Sequence, residues 1–180
     1  MTLKAERLVL RRFTIDDAPA LFRNLYSDAE AMRFLPWDVH TSTHETKAHI
    51  ADCIDGYANP AHYAWVIVTD DLSEPIGFIG AAIDETIHAA RVSYGIGKPW
   101  WGKGYVPDAL GAVLRFLFDD IGVNRVDATH DPRNPSSGKV MEKCGMAYEG
   151  TLRQARHRKG EYSDQAVYAV LTSDRKKGKK

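Results

Sequence analysis

The sequence predicts a mixed α/β (α+β) domain: a central, mostly antiparallel sheet of about seven strands with helices on both faces. Three observations carry this. Short runs of aromatic and β-branched residues alternate with longer stretches of helical periodicity along the 180 residues. Three of those runs follow one another closely between 62 and 97, as an antiparallel meander does. The run "EYSDQAVYAVL" is largely apolar on both of its sides, which suits a strand inside a sheet rather than at its rim.

In chain order, "ERLVLRRF" is the first strand, with Leu8, Val9 and Leu10 among arginines. "TIDDAPALFRNLYSDAEAMRFL" (14–35) then turns helical. Thr14 is its N-cap with Asp17 three residues on, and Ala18, Leu21, Phe22 and Leu25 form an apolar stripe. "PWDVH" breaks that pattern, and a second helix is expected over about 43–58, from Ser42 or Thr43 toward Gly56. The meander strands are "HYAWVIVTD", "PIGFIGAAID" and "ARVSYGIG", joined by "DDLSEP" and "ETIHAA". Val106, Leu110, Val113, Leu114, Leu117 and Ile121 recur at helical spacing. Pro107 is tolerated only in a first turn, so it fixes that helix start, and Gly122 ends it. "VNRVDATHD" is a strand. "NPSSGKVMEKCG" is a short helix with Asn134 as N-cap, Pro135 first and Gly145 past its end. "MAYEGTLRQARHR" and "EYSDQAVYAVLTSD" are the two closing strands.

The length suits a single domain over 1–174, followed by a basic C-terminal tail, 175–180, read as a solvated end. Hydrophobic content of 44% supplies a core. Formal net charge is zero, from 24 basic and 24 acidic residues, which argues against generic nucleic-acid binding. Two cysteines, Cys53 and Cys144, fit a reducing cytoplasm, and Cys144 reads as a small buried apolar residue. The N-terminus has no apolar run suited to a signal peptide, and no membrane span is expected. His40, His44 and His49 lack a further ligand in pattern, so no metal is expected.

The most informative stretch is "WWGKGY", 100–105, between a strand and a helix. It places free backbone N–H groups and a helix dipole beside Lys103, which makes a ready anion site. Two familiar phosphate loops do not fit. A dinucleotide fingerprint needs glycine where Pro107 stands, and a P-loop needs Ser or Thr where Gly104 stands. By itself the loop is a turn or an anion cradle. Asp108, in the first helical turn, would repel a phosphate unless it points away.

Together, "SYGIGKPWWGKGYVPDA", "NPSS" and "EKCGM" at these spacings resemble the GNAT superfamily of acyl-CoA-dependent N-acetyltransferases. "ERLVLRRFTIDDAPAL" and "GEYSDQAVYAVL" extend the resemblance to the RimJ/RimL-like branch, the ribosomal-protein N-terminal acetyltransferases. The resemblance implies a single GNAT-like domain with the sheet splayed at the cofactor site. It implies acetyl-CoA as acyl donor, with its pyrophosphate on the amides of Gly102, Lys103, Gly104 and Tyr105 beside Trp101. The pantetheine arm would pair with the backbone of Tyr94, Gly95 and Ile96. Asn134 would hydrogen-bond the pantetheine or acetyl region, Ser137 would lie near the thioester sulfur, and Lys139 would reach a CoA phosphate. Asn134 and Ser137 are therefore the catalytic candidates. "MRFLPWDVH" would form part of the acceptor pocket, with Arg33, Phe34, Pro36 and Trp37 as contacts. Phe34 and Trp37 serve equally well as caps on the core.

Four features depart from the family pattern. Met141 stands where a tyrosine general acid is common. Arg91 stands where this branch often has glutamate, and Ser93 replaces a glycine. "VPDA" replaces the more usual "ATEA". The general base is thus open among Glu85, Asp84 and a water chain. Two functional classes follow. One is a cytoplasmic N-acetyltransferase acting on a primary amine, either a protein N-terminus or a small molecule, as monomer or homodimer. The other is a non-catalytic acyl-CoA sensor of the same fold. A nucleotide-binding protein using the same loop is a third, weaker reading.

Overall fold

Side-chain alternation builds the sheet. In β2 (Leu8–Arg11), Leu8 and Leu10 face one way and are fully buried. In β3 (His62–Thr69), Trp65 and Ile67 join them, while Val66 and Val68 face the opposite core. The remaining strands are β1 (Thr2–Lys4), β4 (Pro75–Asp84), β5 (Ala89–Ile96), β6 (Arg125–His130), β7 (Ala147–Arg158) and β8 (Glu161–Leu171). In this computed structural model, which describes residues 1–70, 74–158 and 160–177, they form one sheet in the order β1-β2-β3-β4-β5-β6-β8-β7. Every pairing is antiparallel except β5 with β6, which run parallel. As its two-sided apolar pattern predicts, β8 lies between β6 and β7.

Helices cover both faces. On one face, α3 (Tyr105–Arg115) and α4 (Pro135–Lys143) close a core that includes Trp65, Ile79, Val92, Leu110, Val113 and Met141. On the other, α1 (Ala18–Leu21), the turn Phe22–Tyr26 that follows it and α2 (Thr43–Asp55) cover Val66, Val68 and Phe78 with Leu21, Leu25, Tyr26 and Ile50. Met141 is buried in the first core, so it is a packing residue.

The elements depart from the sequence reading in three places. Thr2–Lys4 adds an eighth described strand by pairing with Val9–Arg11; only Leu3 is shielded, too little pattern to read as a strand. The first helix ends at Tyr26 instead of 35. It is a 3-10 turn (Ile15–Asp17), α1, then a wide turn over Phe22–Tyr26. Beyond it the Asp28 carboxylate accepts from the N–H groups of Glu30 and Ala31 at 2.8 and 3.2 Å, a local bond that competes with helix. The last strand ends at Leu171, because α5 (Thr172–Lys177) begins there and Asp174 accepts from the Leu171 N–H at 3.0 Å.

The expected basic tail is thus partly docked. Arg175 bonds the Asp119 carboxylate at 2.7 and 3.1 Å and lies 4.8 Å over the Phe118 ring. Gly178, Lys179 and Lys180 fall outside the described residues, as do Asp71, Leu72 and Ser73 of the expected "DDLSEP" turn.

His40 stacks on Tyr26 at 4.7 Å and donates to or accepts from Thr46 Oγ1 at 2.9 Å; His49 packs edge-on against Trp37 at 4.6 Å. Burial lowers both imidazole pKa values below the ordinary 6.5. The unfolded chain therefore binds these protons more readily. Their contribution to stability is intact above about pH 6.5 and declines as pH falls toward the depressed folded values. Chemical denaturation at pH 7.5 and 5.5 should show a lower midpoint at 5.5, and His49→Gln should reduce that difference.

Candidate active site

The site begins where two strands part. β5 and β6 pair in register only at Ala89–Arg125, Ala90–Val126 and Arg91–Asp127. Beyond that rung β5 stays with β4 as far as Ile96, while β6 stays with β8 as far as His130. A wedge opens between them. Arg91 Nε bonds Asp127 Oδ1 at 2.5 Å on the last shared rung, and Asp127 is also 3.8 Å from Arg125. Arg125 in turn makes a two-pronged bond to Glu149 at 2.8 and 2.5 Å. The arginine in place of the expected glutamate is therefore a clasp at the apex of the wedge.

The open edge of β5 is available to a ligand. Gly97 N–H bonds Ile76 O toward β4, whereas Ile96 O turns away and accepts the Trp101 indole N–H at 2.9 Å. Antiparallel alternation then directs the Tyr94 backbone N–H and C=O into the wedge, and the Gly95 backbone toward β4. Trp101 is 42% exposed and holds the strand end by that bond, while Trp100 packs on the core.

At the wide end of the wedge lies the glycine loop. Gly102 and Gly104 have φ of +71° and +83°, a left-handed conformation that strains other residues. With Gly104 as N-cap of α3, the N–H groups of Gly102, Lys103, Gly104, Tyr105 and Val106 have no acceptor among the described residues. These are the donors an anion would take. Asp108 does not simply point away. Arg7, from the turn before β2, bonds its carboxylate at 2.9 and 2.6 Å and donates to Lys103 O at 3.1 Å. The guanidinium neutralises the one acid at the helix mouth and lies 5.0 Å over the Tyr105 ring. Sequence reasoning missed Arg7, because nothing local connects it to residue 108.

α4 faces the wedge from the same side. Asn134 occupies the N-cap position, but its side chain makes no capping bond, contrary to expectation. Its amide is thereby left for another partner. The Tyr94 phenol reaches across to α4, 2.9 Å from Ser137 Oγ, and donates to Ser137 O at 3.1 Å. Burial pushes the Tyr94 pKa far above its ordinary value, so the phenol stays protonated. Position 141 holds no tyrosine, and the phenol that reaches α4 comes instead from the strand, on a side chain that sequence reasoning used only for its backbone. Lys139 is exposed on α4. The Cys144 thiol sits 3.5 Å from Pro107 O, and burial pushes its pKa up to about 11, which leaves it un-ionised.

On the opposite face, the segment 32–35 crosses over the wedge. A Cβ on Gly95 would lie 3.0 Å from Leu35 Cδ1, which sets one end over β5. Arg158 of β7 donates to Met32 O and Arg33 O, both at 3.1 Å, which ties down the other. Beside this bridge is an open pocket lined by Arg33, Phe34, Asp131, Arg133, Arg156, Arg158, Glu161, Ser163 and Gln165. Arg33 and Phe34 are therefore brought to it. Trp37 is not: it packs in the second core, 5.5 Å from Phe78 and 6.4 Å from Tyr26. Asp84 and Glu85 are not brought there either. Asp84 pairs with Ala89, five residues and roughly 17 Å along the strand from Tyr94. Asp84 is occupied with Thr86. Asp131 is locked by Arg133, which holds its carboxyl below the usual range. Among the described residues no group of three or more His, Cys, Asp or Glu is arranged to hold a metal.

A phosphate-ready helix mouth and a free strand edge thus lie on one face of a split sheet, and a separate polar pocket lies on the other. The chain belongs to the acetyltransferase (GNAT) domain family, whose model matches residues 7–147. It is 28% identical over 175 residues to an uncharacterized N-acetyltransferase, p20, of Bacillus licheniformis, covering 94% of this chain and 96% of that one. It is 27% identical over 180 residues to the ribosomal protein uS5-alanine N-acetyltransferase of Escherichia coli, covering 96% and 91%. A GNAT-family acetyltransferase structure from Bacillus anthracis superposes with a TM-score of 0.84 at 27% identity, covering 95% and 98%.

Two substitutions probe the loop. Gly104→Val forces a β-branched residue to φ +83° and sets Cβ 3.0 Å from Arg7 Nη2. Acetyl-CoA affinity by calorimetry should fall about tenfold or more, since such strain costs about 1–3 kcal/mol. Arg7→Ala leaves Asp108 facing the anion site. The dissociation constant should rise severalfold, and Asp108→Asn in the same chain should restore most of the loss.

Proposed function

We propose that this protein transfers an acetyl group from acetyl-CoA to a primary amine within one ternary complex. The observation that carries this reading is the run of unpaired N–H groups from Gly102 to Val106 beside the free β5 edge at Tyr94. A pyrophosphate satisfies the first, and an amide-bearing arm satisfies the second by strand addition. Bound acetyl-CoA supplies the activated thioester.

The chain's own contribution is positioning and proton movement. Gly102, Lys103, Gly104 and Tyr105 hold the phosphates, with Lys139 as a further cation. The Asn134 amide is free to bond the donor's arm. The Tyr94 N–H, directed into the wedge, suits an oxyanion. Ser137 Oγ, backed by the protonated Tyr94 phenol at 2.9 Å, is placed to deliver a proton to a leaving sulfur. With the acceptor entering from the opposite face, orientation supplies much of the rate. The relative that acts on ribosomal protein uS5 supports a protein N-terminus as one acceptor class.

A second reading, an acyl-CoA sensor, is favoured by one observation. Arg91 occupies Asp127, and Arg133 occupies Asp131, so neither carboxylate is poised as a base. Release of free CoA thiol from acetyl-CoA with a panel of amines separates the two. Turnover supports the transferase, and saturable binding with no turnover on any amine supports the sensor. In the transferase, Tyr94→Phe should lower kcat about 100-fold with little change in acetyl-CoA affinity. An unchanged kcat would make the Tyr94–Ser137 pair structural.

A further inference from the structure

The pocket on the face opposite α3 carries information about the acceptor that the family does not. Gln165 forms its floor at 5% exposure. Its Nε2 donates to Asp164 O at 2.7 Å, which fixes the amide orientation, and its Oε1 is buried without a hydrogen-bond partner. A buried acceptor of this kind calls for an N–H from outside the chain.

The walls are cationic. Four arginines, Arg33, Arg133, Arg156 and Arg158, line the pocket against two carboxylates, Asp131 and Glu161. Arg133 engages Asp131 at 2.7 Å and lies 4.0 Å from the exposed Glu161, which leaves one net negative charge among the three, against three further arginines in the lining. Asp38 adds a carboxylate toward Arg158. Arg158 spends Nη2 on two carbonyls, and its Nε is buried with no partner. Burial and the neighbouring Arg156 both disfavour its charge. Arg33 lies on the Phe34 ring, and neither it nor Arg156 has a carboxylate partner among the described residues. A break in register between Leu152 and Arg156, with Gln154 at φ +50°, brings Arg156 opposite Ser163 on the pocket side.

We propose that the acceptor is an amine with a carboxylate or phosphate close to the reacting nitrogen, its anion held by Arg33, Arg156 and Arg158 and an N–H taken by Gln165 Oε1. This rests on the acetyl-transfer reading: the amine nitrogen bonds the acetyl carbon as the C–S bond breaks, and the amine's proton leaves while the sulfur departs as thiol. Such an acceptor relieves two buried unsatisfied groups, whereas a polycationic amine meets an unfavourable field.

Three acceptors test this with acetyl-CoA and the full chain: a peptide with Asp and Glu following its N-terminal residue, the same peptide with Lys there, and phosphoethanolamine as the small anionic amine. The acidic peptide or phosphoethanolamine should be acetylated at least about tenfold more efficiently than the basic peptide, and salt should erode the preference. Whichever of the two leads identifies the source of the anion. Arg33→Ala with Arg156→Ala should raise KM for the anionic acceptor about tenfold or more, with acetyl-CoA affinity retained as the control for folding. Arg156→Glu should shift preference toward the basic peptide. Equal or better turnover of the basic peptide overturns the proposal. Fluorescence anisotropy of the labelled peptides on the acetyl-CoA-loaded protein decides the case without turnover. Selective acidic-peptide binding lost in the double variant upholds the pocket and overturns only the transfer step; absence of discrimination overturns the pocket.

Discussion

The site depends on one topological constraint: β5 and β6 are the only parallel neighbours in the described sheet, and they share just three rungs. Each has a better partner on its other side, β4 for β5 and β8 for β6, and follows it. The Arg91–Asp127 pair holds the last common rung, so the opening starts at a defined point. The candidate site is arranged around that opening. The β5 edge presents unpaired backbone, Tyr94 crosses to Ser137, the glycine loop lies at the wide end, and the segment 32–35 spans the other face.

Charge is managed in the same long-range manner. An acid in the first turn of α3 favours the helix dipole but opposes an anion at the same place. Arg7 resolves that conflict from the far end of the chain, and it adds a cation at the helix mouth. The opposite face also carries arginine, in excess over the carboxylates that line the pocket with it, together with a buried carbonyl oxygen in need of a donor. Both faces of the sheet therefore gather arginine locally within a chain of zero formal net charge.

Much of the fold was legible in the sequence. The meander, both long helices, the Pro107 helix start and the interior position of β8 each follow from residues within one element. The loop over 102–105 was legible for the same reason, since glycines at a strand-to-helix junction are a local signal. What escaped was weakly patterned or set by competition. Thr2–Lys4 is too short to show alternation. The first helix stops at Tyr26 because side-chain bonds at Ser27 and Asp28 replace helical ones, although its apolar stripe runs toward them.

For the site, the sequence by itself determined the residue types and their local settings: an anion-ready helix mouth, an asparagine–serine pair on a short helix, and aromatic residues between α1 and α2. Only the tertiary structure decided which of these meet. Tyr94 and Ser137 are 43 residues apart, Arg7 and Asp108 are 101 apart, and Arg33 and Arg158 are 125 apart. It likewise directed Trp37 into the core and left Asp84 and Glu85 at the far end of a hairpin. Periodicity and capping act over a few residues, whereas the order of strands in a sheet brings distant segments together, and the sheet order is a property of the whole chain.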